Sequence, residues 1–120
     1  GSLRLARDIY FIKFKEIFIM GYCMSMSDAS FQVSTENVGH FLAHLWRYPY
    51  DYTFDVEGNI TEIEYTGQKL GRDYEQFQKA APYVKDGSYI EMHGEDGERW
   101  RWVFQDGKCR EIAAKFTWEE

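Results

Sequence analysis

Apolar and charged positions alternate through residues 88–112, the period-two pattern of half-buried strands, and two Asp-Gly dipeptides interrupt the alternation. If Glu95-Asp96-Gly97 is a three-residue loop with Gly97 in the left-handed region, Met92 faces Trp100 and Ile90 faces Trp102. Glu91 then stands opposite Arg101 and His93 opposite Arg99. One face of the hairpin is apolar and the other charged, whereas a two-residue loop would mix the faces. The same device applied to Gln105-Asp106-Gly107 predicts Trp100 opposite Ile112 and Arg101 opposite Glu111. Arg101 would sit between two carboxylates, Glu91 and Glu111. Such a ladder on an exposed face contributes about 0.2–1 kcal/mol per pair, so it helps fix register more than stability.

Upstream, a short alternation predicts a strand over 30–33, and Ser34 can cap a helix over 35–47 with Glu36 at its positive end. Val38, Phe41, Leu42, Leu45 and Trp46 recur at helical spacing on one face, and Pro49 ends the pattern. Strands over 52–56 and 60–66 flank the turn Glu57-Gly58-Asn59. Asp73 and Gln76 have the spacing of a capping box that opens a second helix, with Tyr74, Phe77, Ala81 and Val84 on its buried side and Pro82 weakening its last turn. Phe116 and Trp118 extend the last strand. The order β-α-β-β-α-β-β-β predicts an α+β fold, an antiparallel sheet with two helices packed on one face and a C-terminal three-stranded meander. Residues 58–63 and 107–112 share Gly-x-x-x-Glu-Ile after a turn, an echo too short to establish duplication.

A chain of 120 residues predicts one domain, and an aromatic share of 18% predicts a folded one. The net charge of -6 argues against general nucleic-acid binding and against an anionic membrane surface, both of which select basic patches. Cys23 and Cys109 lack the spacing of a disulfide framework or zinc motif and read as thiols of a cytoplasmic protein. Residues 9–19 are apolar, but Lys13, Lys15 and Glu16 exclude a membrane span or signal-peptide core. Codons for Lys15-Glu16 can spell a bacterial ribosome-binding site ahead of Met20. Residues 1–19 are therefore a tag and translated leader, or an extra N-terminal strand, preceding a domain over 20–120.

His40 and His44 stand four apart on the first helix, a spacing that can place two imidazoles on one metal, but they lie opposite the apolar face and have no third ligand in the sequence. His93 reads as a cross-strand neighbour of Arg99. The loop at 67–72 joins a strand to a helix start and offers Gly67, Lys69, Gly71 and Arg72 to a small anion, with glycines chosen for a tight connection as the plainer reading. It is neither a phosphate-binding Walker loop nor a dinucleotide fingerprint. Trp100, Trp102 and Phe104 share one face and fill core, while Tyr48, Tyr50, Tyr52 and Tyr89 can present a wettable end to a partner. Tyr89, Glu91, Arg99, Arg101 and Glu111 are the candidate partner-binding set. No nucleophile-base arrangement or cofactor motif is present, so neither catalysis nor a cofactor is expected.

The segment Met20-Gly21-Tyr22-Cys23-Met24, the loop Gly67-Gln68-Lys69-Leu70-Gly71, and the run from Ala81 through Ser88-Tyr89-Ile90-Glu91-Met92, Gly94-Glu95-Asp96-Gly97 and Trp100-Arg101-Trp102-Val103-Phe104 together resemble a group of small uncharacterised proteins of bacterial phages and prophages. The resemblance covers 20–112, is strongest after Gly67, and favours Met20 as the start because such proteins begin Met-Gly-Tyr. This chain is shorter than the group between its first helix and the Tyr52 strand. The group carries no catalytic motif, so the resemblance implies a mobile-element context. A non-enzymatic module binding a host or phage protein, with homodimerisation through a sheet edge, is the leading expectation. A binder of a small anionic or nucleotide-like ligand at 67–72 is the alternative.

Overall fold

The computed structural model describes residues 22–113. Strand β1 (Met24–Ser30) leads into helix α1 (Thr35–Leu45), then β2 (Tyr50–Phe54) and β3 (Ile60–Tyr65). Helix α2 (Asp73–Ala80) continues into a 3-10 turn, Ala81–Tyr83, and β4 (Tyr89–Gly94), β5 (Arg99–Gln105) and β6 (Lys108–Ala113) follow. The α+β class and the element order are those the hydrophobic pattern predicts. Residues 1–19, the start at Met20, Phe116 and Trp118 lie outside the described residues.

The strands form two antiparallel sheets, a four-stranded one in the order β1-β4-β5-β6 and the ribbon β2-β3. Strand β1 runs beside β3, and backbone bonds join the two layers at both ends of β1. The Val33 and Ile60 amides each donate to the other's carbonyl, at 3.1 and 2.9 Å, and at the far end Met24 donates to Gln68 and Leu70 to Tyr22. The strand expected over 30–33 lies earlier, at Met24–Ser30, and Val33 makes an isolated bridge with Ile60. The polar run Ser25 to Ser30 carries little intrinsic strand signal, and pairing with β4 is what extends it.

Both helices cover the same inner face. Phe31 meets Phe41 and Phe104 with ring centroids 5.5 Å apart, Phe41 meets Tyr52 at 5.6 Å, and Phe77 meets Trp102 at 5.4 Å. These edge-on and tilted contacts fill a core in which Trp102, Phe41, Phe77 and Phe104 are buried. Asp73 does not form the expected capping box. Arg72 occupies the N-cap position without a side-chain bond, and Asp73 lies inside the first turn, only 2% exposed. Its carboxylate accepts the Tyr50 hydroxyl at 2.7 Å and the Gly71 amide at 3.2 Å. The core-facing phenol draws the carboxylate inward, where capping would have turned it along the helix.

The first Asp-Gly turn has the expected register, with Ile90 opposite Trp102, Met92 opposite Trp100, and Glu91 opposite Arg101. The second does not. Asp106 has φ 55° and Gly107 φ 74°, the pair of positive values that makes a two-residue turn, so Gln105 faces Lys108, Trp102 faces Glu111 and Arg101 faces Ile112. This shift of one residue moves every β6 side chain to the opposite face. Glu111 leaves Arg101 and accepts the Trp102 indole N–H at 2.8 Å, while Ile112 turns outward and is 45% exposed.

Candidate binding surface

The outer face of the four-stranded sheet carries a connected set of polar side chains from β1, β4 and β5. A bulge between Met26 and Asp28 sets Asp28 opposite Glu91. The extra residue bends the strand and re-aims its side chains. The Tyr89 hydroxyl donates to Asp28 Oδ2 at 2.8 Å, and this bond holds its phenol above the usual range. Arg101 Nε donates to Glu91 Oε1 at 2.9 Å, while the Arg101 guanidinium carbon lies 4.5 Å over the Tyr89 ring. Arg101 thus bonds a carboxylate edge-on and stacks on an aromatic face, both of which suit a planar cation. Glu91 is buried, Tyr89 and Arg101 are half-buried, and Arg99 is exposed beside His93.

Four of the five residues expected to meet a partner, Tyr89, Glu91, Arg99 and Arg101, therefore share this face. Glu111 does not, because the β5-β6 register puts it on the inner face against Trp102. The structure adds Asp28, Ser27 and His93. Ser27 Oγ and His93 Nδ1 lie 2.6 Å apart, a pair that no sequence spacing announces because the two residues meet only across β1 and β4. Among the described residues no carboxylate bonds the other ring nitrogen of His93.

The loop at 67–72 is tied into the fold. Leu70 N–H donates to the Tyr22 carbonyl at 2.8 Å, the Tyr65 hydroxyl donates to the Lys69 carbonyl at 2.9 Å, and Gly71 N–H donates to Asp73. A side chain at Gly67 would come within 2.6 Å of the Pro49 ring, which gives this glycine a packing role. Lys69 and Arg72 are exposed, and Arg72 lies 3.6 Å from Glu75.

His40 and His44 both stack on Tyr83, with near-parallel rings at 5.0 and 6.3 Å. His44 is half-buried by this contact, where full solvent exposure was expected. Among the described residues no group of three His, Cys, Asp or Glu side chains is placed to hold a metal ion. A shallow cleft of about 180 Å³ lies on the β2-β3 ribbon beside Met26, bordered by Asp51, Thr53, Glu62 and Glu64. Burial pushes the Cys109 thiol up to about 12, so it stays protonated and unreactive. Among the described residues no helix is long and apolar enough to cross a membrane.

Compared with known proteins, the chain matches no family model, no curated protein and no solved structure.

Proposed function

We propose that the chain is a non-enzymatic protein-binding module, an accessory protein of phage or prophage type that acts in the bacterial cytoplasm on a host or phage protein. The observation that carries this reading is the Asp28-Tyr89-Arg101-Glu91 network on the outer sheet face. Tyrosine and arginine are enriched among the residues that dominate binding energy. Here both are held in place by bonds within the chain, which lowers the entropy lost when a partner docks. The net charge of -6 favours a protein partner over nucleic acid. The loop at 67–72 has less support as an anion site, because its Leu70 and Gly71 amides are already bonded within the chain.

The test is capture of partners from host lysate by the unaltered chain, by Arg101→Ala and by Tyr89→Ala, with circular dichroism confirming that each variant is folded. A retained host or phage protein should lose at least about 2 kcal/mol of affinity, roughly thirtyfold, on either substitution. Capture that survives both substitutions, together with Glu91→Ala, removes this face as the binding surface.

A further inference from the structure

Among the described residues, strand β6 is the last strand of the four-stranded sheet. An edge strand turns a row of backbone N–H and C=O groups outward, ready to pair with another chain. Here one side chain meets that row. Tyr74, in the first turn of α2, places its hydroxyl 3.2 Å from the Glu111 amide nitrogen, whose N–H it accepts, and 3.5 Å from the Cys109 carbonyl oxygen, to which it donates. In an antiparallel union this acceptor carbonyl and this donor amide are bonded by two different residues of the added strand, one in each of two neighbouring hydrogen-bonded pairs. A single hydroxyl therefore occupies one bond in each of two rungs of the ladder. Arg110 lies between the two bonded residues and is exposed, and Lys108 precedes it, so the edge also carries the cations that discourage pairing.

We propose that the Tyr74 hydroxyl is an edge stop: it closes β6 against strand addition by a second copy of this chain. The occupant is a second copy because the strand's own geometry names it. Two β6 edges meeting antiparallel about Arg110 would set Cys109 of one copy opposite Glu111 of the other, the two residues that Tyr74 now holds. Arg110 would face Arg110, a like-charge pair that opposes the union. Two independent devices thus guard one edge, the hydroxyl and the charge, and each can be removed separately.

The experiment is sedimentation equilibrium of the unaltered chain, Tyr74→Phe, and Tyr74→Phe with Arg110→Thr, combined with amide exchange at Glu111. Phe keeps an aromatic ring on α2 beside β6, and circular dichroism verifies the fold. Self-association should strengthen at least tenfold in the single variant and further in the double variant. The Glu111 amide should exchange faster than in the unaltered chain at low concentration and regain protection as the variant associates. The inference is overturned if both variants associate no more than the unaltered chain. It is equally overturned if they associate while Glu111 stays unprotected, since the contact would then lie elsewhere.

Discussion

The two turns of the C-terminal meander contain the same Asp-Gly dipeptide and close differently. In the first, Gly94 N–H bonds Glu98 and Gly97 N–H bonds Gly94, and Gly97 alone has a positive φ, of 92°. In the second, Asp106 and Gly107 both take positive φ and the loop is one residue shorter. Their surroundings differ. The first turn is held from β1's entry: the Tyr22 hydroxyl stands 2.6 Å from Asp96 and 2.8 Å from Glu98, and Glu95 bonds Cys23 in both directions. A Cβ at Gly94 would collide with that tyrosine, so glycine is required where the phenol crosses the strand. The second turn is held from the β4 entry, where Asp86 accepts the Asp106 amide at 2.8 Å. One dipeptide thus supports two loop lengths, and the neighbours that bond the turn select between them.

Trp102 is where both registers meet, opposite Ile90 on one side and Glu111 on the other. Trp102→Ala should lower stability by about 3–5 kcal/mol, read from urea unfolding, while Arg101→Ala next to it, which takes a partner from the buried Glu91 carboxylate, should cost less, about 1–3 kcal/mol. Similar losses at the two positions would mean that the inner and outer faces are wrongly assigned. Glu111→Ala leaves a buried indole N–H without its acceptor and should cost about 1–3 kcal/mol, whereas Glu111→Gln keeps an acceptor and should recover most of it. If Glu111 instead faced Arg101, both variants would be nearly silent.

Asp106→Val forces a branched residue into the left-handed region and should cost about 1–2 kcal/mol, with Glu95→Val at the first turn costing less. Equal costs in thermal melts would remove the difference between the turns.

The smallest effect contrasts two carboxylate-aromatic bonds, exposed Glu111 with Trp102 and buried Asp73 with Tyr50. Burial holds the Asp73 carboxyl above its ordinary value, against the pull of its Tyr50 and Gly71 bonds. Because the folded state favours the protonated acid, this group's stabilisation is fullest below the unfolded value near 3.9 and falls as pH rises through the folded value. Asp73→Asn should flatten the slope of stability against pH above about 4, whatever it does to the absolute level. An unchanged slope in urea midpoints across that window would place the titration elsewhere.

Much of the fold was legible because it rests on local rules. Helix α1 follows from apolar residues at helical spacing, although it ends at Leu45, and Trp46, expected on the packed face, is 67% exposed; the β4-β5 register follows from the requirement that Ile90, Met92, Trp100 and Trp102 share a face. The candidate surface was half legible for the same reason, since Tyr89, Glu91, Arg99 and Arg101 follow from that register. Ser27 and Asp28 were not, because the β1 bulge that brings them to His93 and Tyr89 leaves no mark in the spacing of a polar strand. The echo between 58–63 and 107–112 shows the limit of motif reading: Ile63 is buried and Ile112 is exposed, although each ends the same Gly-x-x-x-Glu-Ile.

By itself, the order of residues determined the class, the sequence of elements and one hairpin register, because periodicity and turn chemistry act over a few neighbouring positions. Only the tertiary structure decided the length of the second turn, the division into two sheets, the inward placement of Asp73 and the Tyr74 contact with β6. Each of those depends on a hydrogen bond between residues far apart in the chain, and such a bond can outweigh a local preference worth about 1 kcal/mol.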